Sequence, residues 1–178
     1  RVELDGQDLT TLSDSRLDDM RKHSMSMIFQ FHHLLPFLTA LENTLLPHMS
    51  SFLPVPGKLK EHARECLARV GLAGMEDRLP GELSGGECQR VAIARALISQ
   101  SRILFADEPT GSLDKTTGQE IMKLLSDLNK DGLTMVMVTH DKDYTAYGNR
   151  IIELSDGQLV HTEPICMRPC QPGEEQLS

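Results

Sequence analysis

The 178 residues carry 18 Lys and Arg against 26 Asp and Glu, a formal charge of −8, and 39% of them are hydrophobic and 25% charged. That composition is near the globular average and excludes a fibrous chain or one too polar to bury a core, and the length suits one domain, or one domain with a small appendage. With no Trp, two Tyr and five Phe, this acidic chain has neither the positive field nor the stacking surface that nucleic-acid binding uses, so no nucleic-acid partner is expected. No apolar run approaches the roughly 18 residues of a membrane span. No charged-then-apolar leader opens the chain. Cys66, Cys88, Cys166 and Cys170 form no C-x-x-C pair, so free thiols in a soluble cytoplasmic chain are expected. The text begins at Arg1 on strand-like residues, which gives the expectation of a fragment.

In chain order, Asp5-Gly6 signals a turn after a short strand, and Leu9 to Arg21 predicts a turn and a short polar helix. Met25 to Phe29 is a compact apolar run read as a buried strand ending at Gln30. From Phe31 to Gly57 the prolines at 36, 47, 54 and 56 allow only a short helix near Thr39 to Leu46. Leu59, Ala63, Cys66, Leu67 and Val70 recur at helical spacing, with Gly71 as the stop. Glu87 to Ser99 predicts a largely buried helix, and Ile103 to Ala106, fully apolar, a central strand ending at Asp107 and Glu108. Thr116 or Thr117 is expected to cap the next helix, whose Ile121, Leu124, Leu125 and Leu128 fall on one face. Met135 to Val138 is a further strand, ending at Thr139-His140. Ile151 to Leu154 and Gln158 to His161 flank the hairpin turn Asp156-Gly157, and a disordered tail is expected over 163–178.

Strands alternating with helices imply a mostly parallel α/β sheet, whose ligands gather at the carboxyl ends of its strands. Gln30, Asp107, Glu108 and His140 all directly follow apolar strand-like runs. A strand ending in Asp can place a carboxylate near a nucleotide's Mg²⁺, and the adjacent Glu can polarise water; such a pair is otherwise a solvated loop charge or a helix cap. In Leu83-Ser84-Gly85-Gly86-Glu87, Ser84 and Glu87 have the spacing of a capping box. The two glycines also let the backbone approach a ligand, and the helix end aims N–H groups at an anion such as phosphate. On this stretch alone both readings stand.

Together these residues resemble the ATP-binding-cassette ATPases, from Arg1 to about His161. Gln30 resembles the Q-loop glutamine, Leu83 to Glu87 the family signature, Ile103 to Glu108 the Walker B strand, Ser112-Leu113-Asp114 the D-loop and His140 the switch histidine. The spacing also fits, with Ser84 and Asp107 23 positions apart and Glu108 and His140 32 apart. Phe29 to Pro36, Leu38 to Asn43 and Ala106 to Asp114 resemble the lipoprotein-releasing and macrolide-export branch. The resemblance implies a RecA-like P-loop NTPase fold over 1–162, with a helical subdomain at about 43–98. It implies ATP and Mg²⁺ as cofactors. It also implies a second cassette, as a homodimer, and an integral membrane permease docking near Phe31 to Pro47, with the chain on the inner face of the cell membrane.

In that scheme Glu108 is the base, with His140 and Gln30 beside it. Asp107 and Gln30 serve Mg²⁺, and Ser84, Gly85, Gly86 and Asp114 serve the nucleotide across the dimer. One element is missing: no G-x-x-x-x-G-K-[ST] loop occurs, and Gly57-Lys58 has Phe52 and Leu59 at the flanking positions. Loss of the first strands and the phosphate loop by truncation is expected, with weak or absent ATP binding by the fragment. The alternatives are a cassette ATPase working without a permease and a non-hydrolysing binding module. Only 52 residues separate Gln30 from Leu83, which leaves no room for the long coiled-coil insert of the first.

Overall fold

Apolar residues that recur with period 2 or 3.6 set the elements of the chain, whose computed structural model describes residues 1–4, 6–49 and 54–164. Two compact units result, Arg1–Thr139 and a second from His140 onward.

In the first unit, β1 (Glu3–Leu4) and β2 (Gln7–Asp8) form a small antiparallel ladder, followed by α1 (Asp14–Ser24). A three-stranded parallel sheet has the order β3 (Met25–Ile28), β4 (Ile103–Asp107), β5 (Thr134–Val138), with Met25 opposite Ile103 and Ile103 opposite Thr134. The expected central strand is β4. Between β3 and β4 come α2 (Ala40–Leu45), α3 (Gly57–Arg69) and α4 (Gly85–Leu97), and α5 (Lys115–Lys130) joins β4 to β5. Gly57-Lys58 opens α3, so this pair is an ordinary helix start.

Ile28, Leu104 and Ala106 of the sheet are buried, as are Val91, Ala92, Ile93 and Ala94 of α4 and Ile121, Met122 and Leu125 of α5. α2, α3 and α4 pack on one another through Leu45, Ala63, Cys66 and Leu67, each large side chain contributing roughly 1.5–3 kcal/mol. Ser26 Oγ, within hydrogen-bond distance of the Ala96 carbonyl (2.8 Å) and Ser101 Oγ (2.7 Å), ties β3 to the end of α4. Cys66 and Cys88 are free thiols, and burial pushes both up from the ordinary thiol range.

The structure corrects several expectations. The Met25 to Phe29 run is not buried throughout: the strand ends at Ile28, Met27 is 50% exposed, and Phe29 lies exposed beyond it. A pleat sends alternate residues to opposite faces, and Met27, Val136 and Val138 are all exposed. α4 starts two residues before Glu87, taking both glycines into its first turn. Asp114, not Thr116 or Thr117, caps α5: its carboxylate accepts the N–H of both threonines, because an acceptor three residues ahead reaches the open amides of the first turn.

The second unit holds a 3-10 turn, Lys142–Tyr147, capped by Asp141, and the hairpin of β6 (Arg150–Ser155) and β7 (Gln158–Pro164). Asp156 and Gly157 both take left-handed backbone in its turn, and β7 runs three residues past the expected His161. Cys166, Cys170 and the rest of the tail from residue 165 lie outside the described residues, as does Asp5. Among the described residues no helix is long and apolar enough to cross a membrane.

Candidate functional site

Parallel strands deliver their last residues to one edge of the sheet, and there β4 ends in an exposed Asp107 followed by a half-buried Glu108. The Glu108 N–H donates to the Val138 carbonyl at 2.9 Å, while its Oε2 accepts from Thr139 Oγ at 3.3 Å. Its φ is +46°, a left-handed conformation that costs a non-glycine residue about 1 kcal/mol or more and clusters at functional sites. The chain turns at once: Gly111 N–H donates to the Glu108 carbonyl at 3.0 Å, with Pro109, whose ring presets φ, at the second turn position. Leu113 N–H then donates to the Thr110 carbonyl at 3.0 Å.

This turn gathers several of the residues singled out from the sequence. Gln30, two residues past β3, has its carbonyl bonded by Ser112 Oγ–H at 3.0 Å. Its side chain packs on Gly111, where an added Cβ would stand 2.9 Å from Gln30 Nε2 and would have to push that side chain aside. Ser84 caps α4 in a full capping box. Its Oγ accepts the Glu87 N–H at 3.3 Å, and Glu87 Oε2 accepts the Ser84 N–H at 2.7 Å and the Ser84 hydroxyl at 2.8 Å. Those bonds to Ser84 hold the Glu87 carboxyl below its usual range. Gly85 and Gly86 occupy the first turn, where N–H groups have no carbonyl partner within the helix. Both glycines also face the segment after Glu108: a Cβ on Gly85 would lie 3.3 Å from Leu113 Cδ2, and one on Gly86 2.4 Å from Thr117 Cγ2. The capping box is thus formed, and the two glycines pack closely against Leu113 and Thr117.

Asp114 is engaged at its own helix: Oδ1 accepts from Thr116 and Thr117 N–H, each at 3.1 Å, and Oδ2 from Thr117 Oγ–H at 2.6 Å. The Thr117 hydroxyl above all holds its carboxyl below the usual range. His140, exposed, opens the second unit directly after Thr139.

Three supporting residues escape a reading of local text. Gln89, fully buried in α4, donates Nε2–H to the Pro109 carbonyl at 2.8 Å. Arg95 forks onto two carbonyls past Gln30, those of His33 (2.8 Å) and His32 (2.7 Å), and burial pulls its guanidinium below its ordinary value. Asn43, buried on α2, accepts the Leu35 N–H and donates to the carbonyls of Leu35, Leu38 and Thr39, fixing the loop that presents Phe31 (66% exposed) and Phe37 (72% exposed). In the sequence Arg95 stands out as a lone cation in the apolar text Val91-Ala92-Ile93-Ala94-Arg95-Ala96.

Among the described residues no three His, Cys, Asp or Glu side chains gather to hold a metal. The two residues singled out for a metal, Asp107 and Gln30, carry one carboxylate and one amide oxygen. So sparse and hard a donor set fits a Mg²⁺ that brings phosphate and water ligands with it, and not a protein cage.

Comparison with known proteins agrees with this geometry. The profile of the family described as "ABC transporter" matches residues 1–111. The chain is 49% identical over 157 residues to the lipoprotein-releasing system ATP-binding protein LolD of Syntrophotalea carbinolica, covering 88% of this chain and 69% of that protein. It is 45% identical over 160 residues to the macrolide export ATP-binding/permease protein MacB of Chromobacterium violaceum, covering 90% of this chain and spanning 25% of the length of that relative. A solved dimeric ATP-binding cassette in a post-hydrolysis state, bound to ADP and Pi, superposes with a TM-score of 0.76 at 41% identity, covering 90% of this chain and 71% of that one. The chain belongs to the ABC transporter family, and its parallel sheet and helices have the α/β fold of a P-loop NTPase cassette.

Proposed function

We propose that the protein carrying this chain hydrolyses ATP as the nucleotide-binding subunit of a transporter that exports or releases a substrate. The observation that carries the reading is Glu108, held left-handed at the end of the central parallel strand, just before a segment on which Gln30 and the glycine-opened start of α4 both pack. Lipoprotein release and macrolide export are in the names of the relatives; the cargo itself is selected by a permease, which fold cannot identify.

In this reading two copies meet head to tail, and Ser84, Gly85 and Gly86 of one face the terminal phosphate held by the other, helix-end N–H groups stabilising its charge. Glu108 orients a water and takes its proton as the water oxygen attacks the γ-phosphorus; the bond to the β-phosphate oxygen breaks and ADP leaves. Asp107 and Gln30 would hold Mg²⁺, which when bound neutralises charge on the phosphate oxygens. His140 contacts the γ-phosphate, and Asp114 couples the two sites.

The segment Phe31 to Pro47, a loop followed by α2 and braced by Arg95 and Asn43, is the permease-docking surface, which puts the chain peripherally on the inner face of the membrane. Residues 1–162 constitute the cassette part, with 43–98 as its helical subdomain. These 178 residues hold no G-x-x-x-x-G-K-[ST] stretch to cradle the phosphates.

The test is Glu108→Gln in the whole protein with its permease. ATP binding should persist, turnover should fall by about 10²-fold or more, and the dimer should accumulate with ATP trapped. Steady-state hydrolysis equal to wild type would remove Glu108 from the role of base. A wild-type protein that binds ATP without hydrolysing it would instead be a binding module.

A further inference from the structure

Gln89 sits in the second turn of α4, fully buried. Its Nε2 donates to the Pro109 carbonyl at 2.8 Å, yet its Oε1 has no hydrogen-bond partner, one of two such buried side-chain atoms among the described residues, with His32 Nε2. A buried amide oxygen left unpaired destabilises a fold, and such an exception needs an explanation. An apolar side chain of the same length would fill the space without that cost. The compensation must lie in the one bond that Gln89 does make.

The acceptor of that bond is informative. Glu108 must be held in a left-handed conformation, and its own N–H and carbonyl are engaged by Val138 and Gly111. Pro109, next in the chain and buried, has no N–H with which to pair, so the one backbone group of its own that can anchor it is its carbonyl. The donor comes from α4, five residues after Ser84, and a helix is stiff over that distance. A shift of the Ser84 to Gly86 end therefore drags the peptide beside Glu108.

We infer that Gln89 is a positioning residue that holds the Glu108 carboxylate in its hydrolytic pose and ties that pose to the location of the α4 N-terminus. This rests on the reading of Glu108 as the base. It makes hydrolysis in one nucleotide site sensitive to how the same subunit's signature segment sits on its neighbour's phosphate.

The experiment compares wild type, Gln89→Met and Gln89→Glu in the whole protein with its permease. Methionine keeps length and volume, drops the bond and removes the unpaired oxygen. The melting temperature should hold or rise and KM for ATP should stay within about 2-fold, while kcat falls roughly 10- to 100-fold, the scale of a small misplacement of a catalytic group. Exchange of the Gly111 N–H, which bonds the Glu108 carbonyl, should quicken by about 10-fold.

Glutamate can donate to the Pro109 carbonyl only when protonated. Its kcat should therefore approach wild type at low pH and fall away as pH rises, a profile wild type lacks. If Gln89→Met does not fold, that profile decides alone. Wild-type kcat and Gly111 exchange in Gln89→Met, a kcat loss matched by a loss of melting temperature, or a Gln89→Glu profile parallel to wild type would each overturn the inference and leave the ATPase reading standing. A wild-type protein without ATP turnover overturns both.

Discussion

At Gly86 a methyl group has nowhere to go, because a Cβ there would stand 2.4 Å from Thr117 Cγ2. Gly86→Ala should cost about 1–3 kcal/mol in urea unfolding, the range of an overpacked site. Thr117→Ser deletes the offending methyl while leaving a hydroxyl to bond Asp114 Oδ2, so the double variant should recover most of that loss. A strong favourable coupling in the double-mutant cycle is the expected signature; simple additivity would mean that the strain lies elsewhere. The pair also separates two reasons for glycine. If the double variant folds like wild type but the whole protein turns over slowly, close approach of a phosphate to the backbone is the second reason.

At the scale of elements, α4 and α5 both begin on a carboxylate held by helix-end donors. Glu87 bonds the N–H and hydroxyl of Ser84, and Asp114 bonds the hydroxyl and N–H of Thr117. Both carboxyls are held below their ordinary values, so the unfolded chain binds the proton more readily than the folded one. Their contribution is present above the unfolded values of about 4.3 and 3.9 and is lost as pH falls through the lower folded values. Thermal melts should therefore decline below about pH 4, and Glu87→Gln, which keeps an acceptor but does not titrate, should make that decline shallower. An unchanged acid limb in Glu87→Gln would show that the cap carries no titrating share of stability.

These elements were largely readable beforehand. The burial of Ala63, Cys66 and Leu67, or of Ile121, Leu125 and Leu128, is written as spacing, because a helix returns to its core side every three or four residues. The compact apolar run Met25 to Phe29 does not say that Met27 and Phe29 stay exposed. At the start of α5 threonine and aspartate both suit the cap, and only geometry shows that Asp114 accepts. Least legible were the bonds that join elements: Gln89 to Pro109, Ser112 to Gln30, Arg95 to His32 and His33. Periodicity records which side of a helix is apolar, not which distant carbonyl a donor on it will meet.

For the molecule as a whole, the charge of −8 and the missing phosphate loop act in the same direction on ATP. A nucleotide triphosphate is an anion, and the net field of this chain repels it. What the 178 residues offer in return is the open first turn of α4 and the edge of a sheet that bears two carboxylates, Asp107 and Glu108. Helix-end N–H groups are each a weak attraction that salt screens and that falls off within the first turn, and no lysine of a Gly-Lys-Ser/Thr loop adds to them. Calorimetry on the 178-residue chain in about 0.1 M salt should therefore find ATP binding weaker than about 1 mM, equivalent to less than roughly 4 kcal/mol. Raising salt shortens the Debye length from about 10 Å at 0.1 M toward 3 Å at 1 M and screens the repulsion, so it should not weaken whatever binding there is. Micromolar affinity that falls with salt would reverse this reading. It would mean that local amides outweigh the field of the whole chain, and that the phosphate grip does not depend on a separate loop.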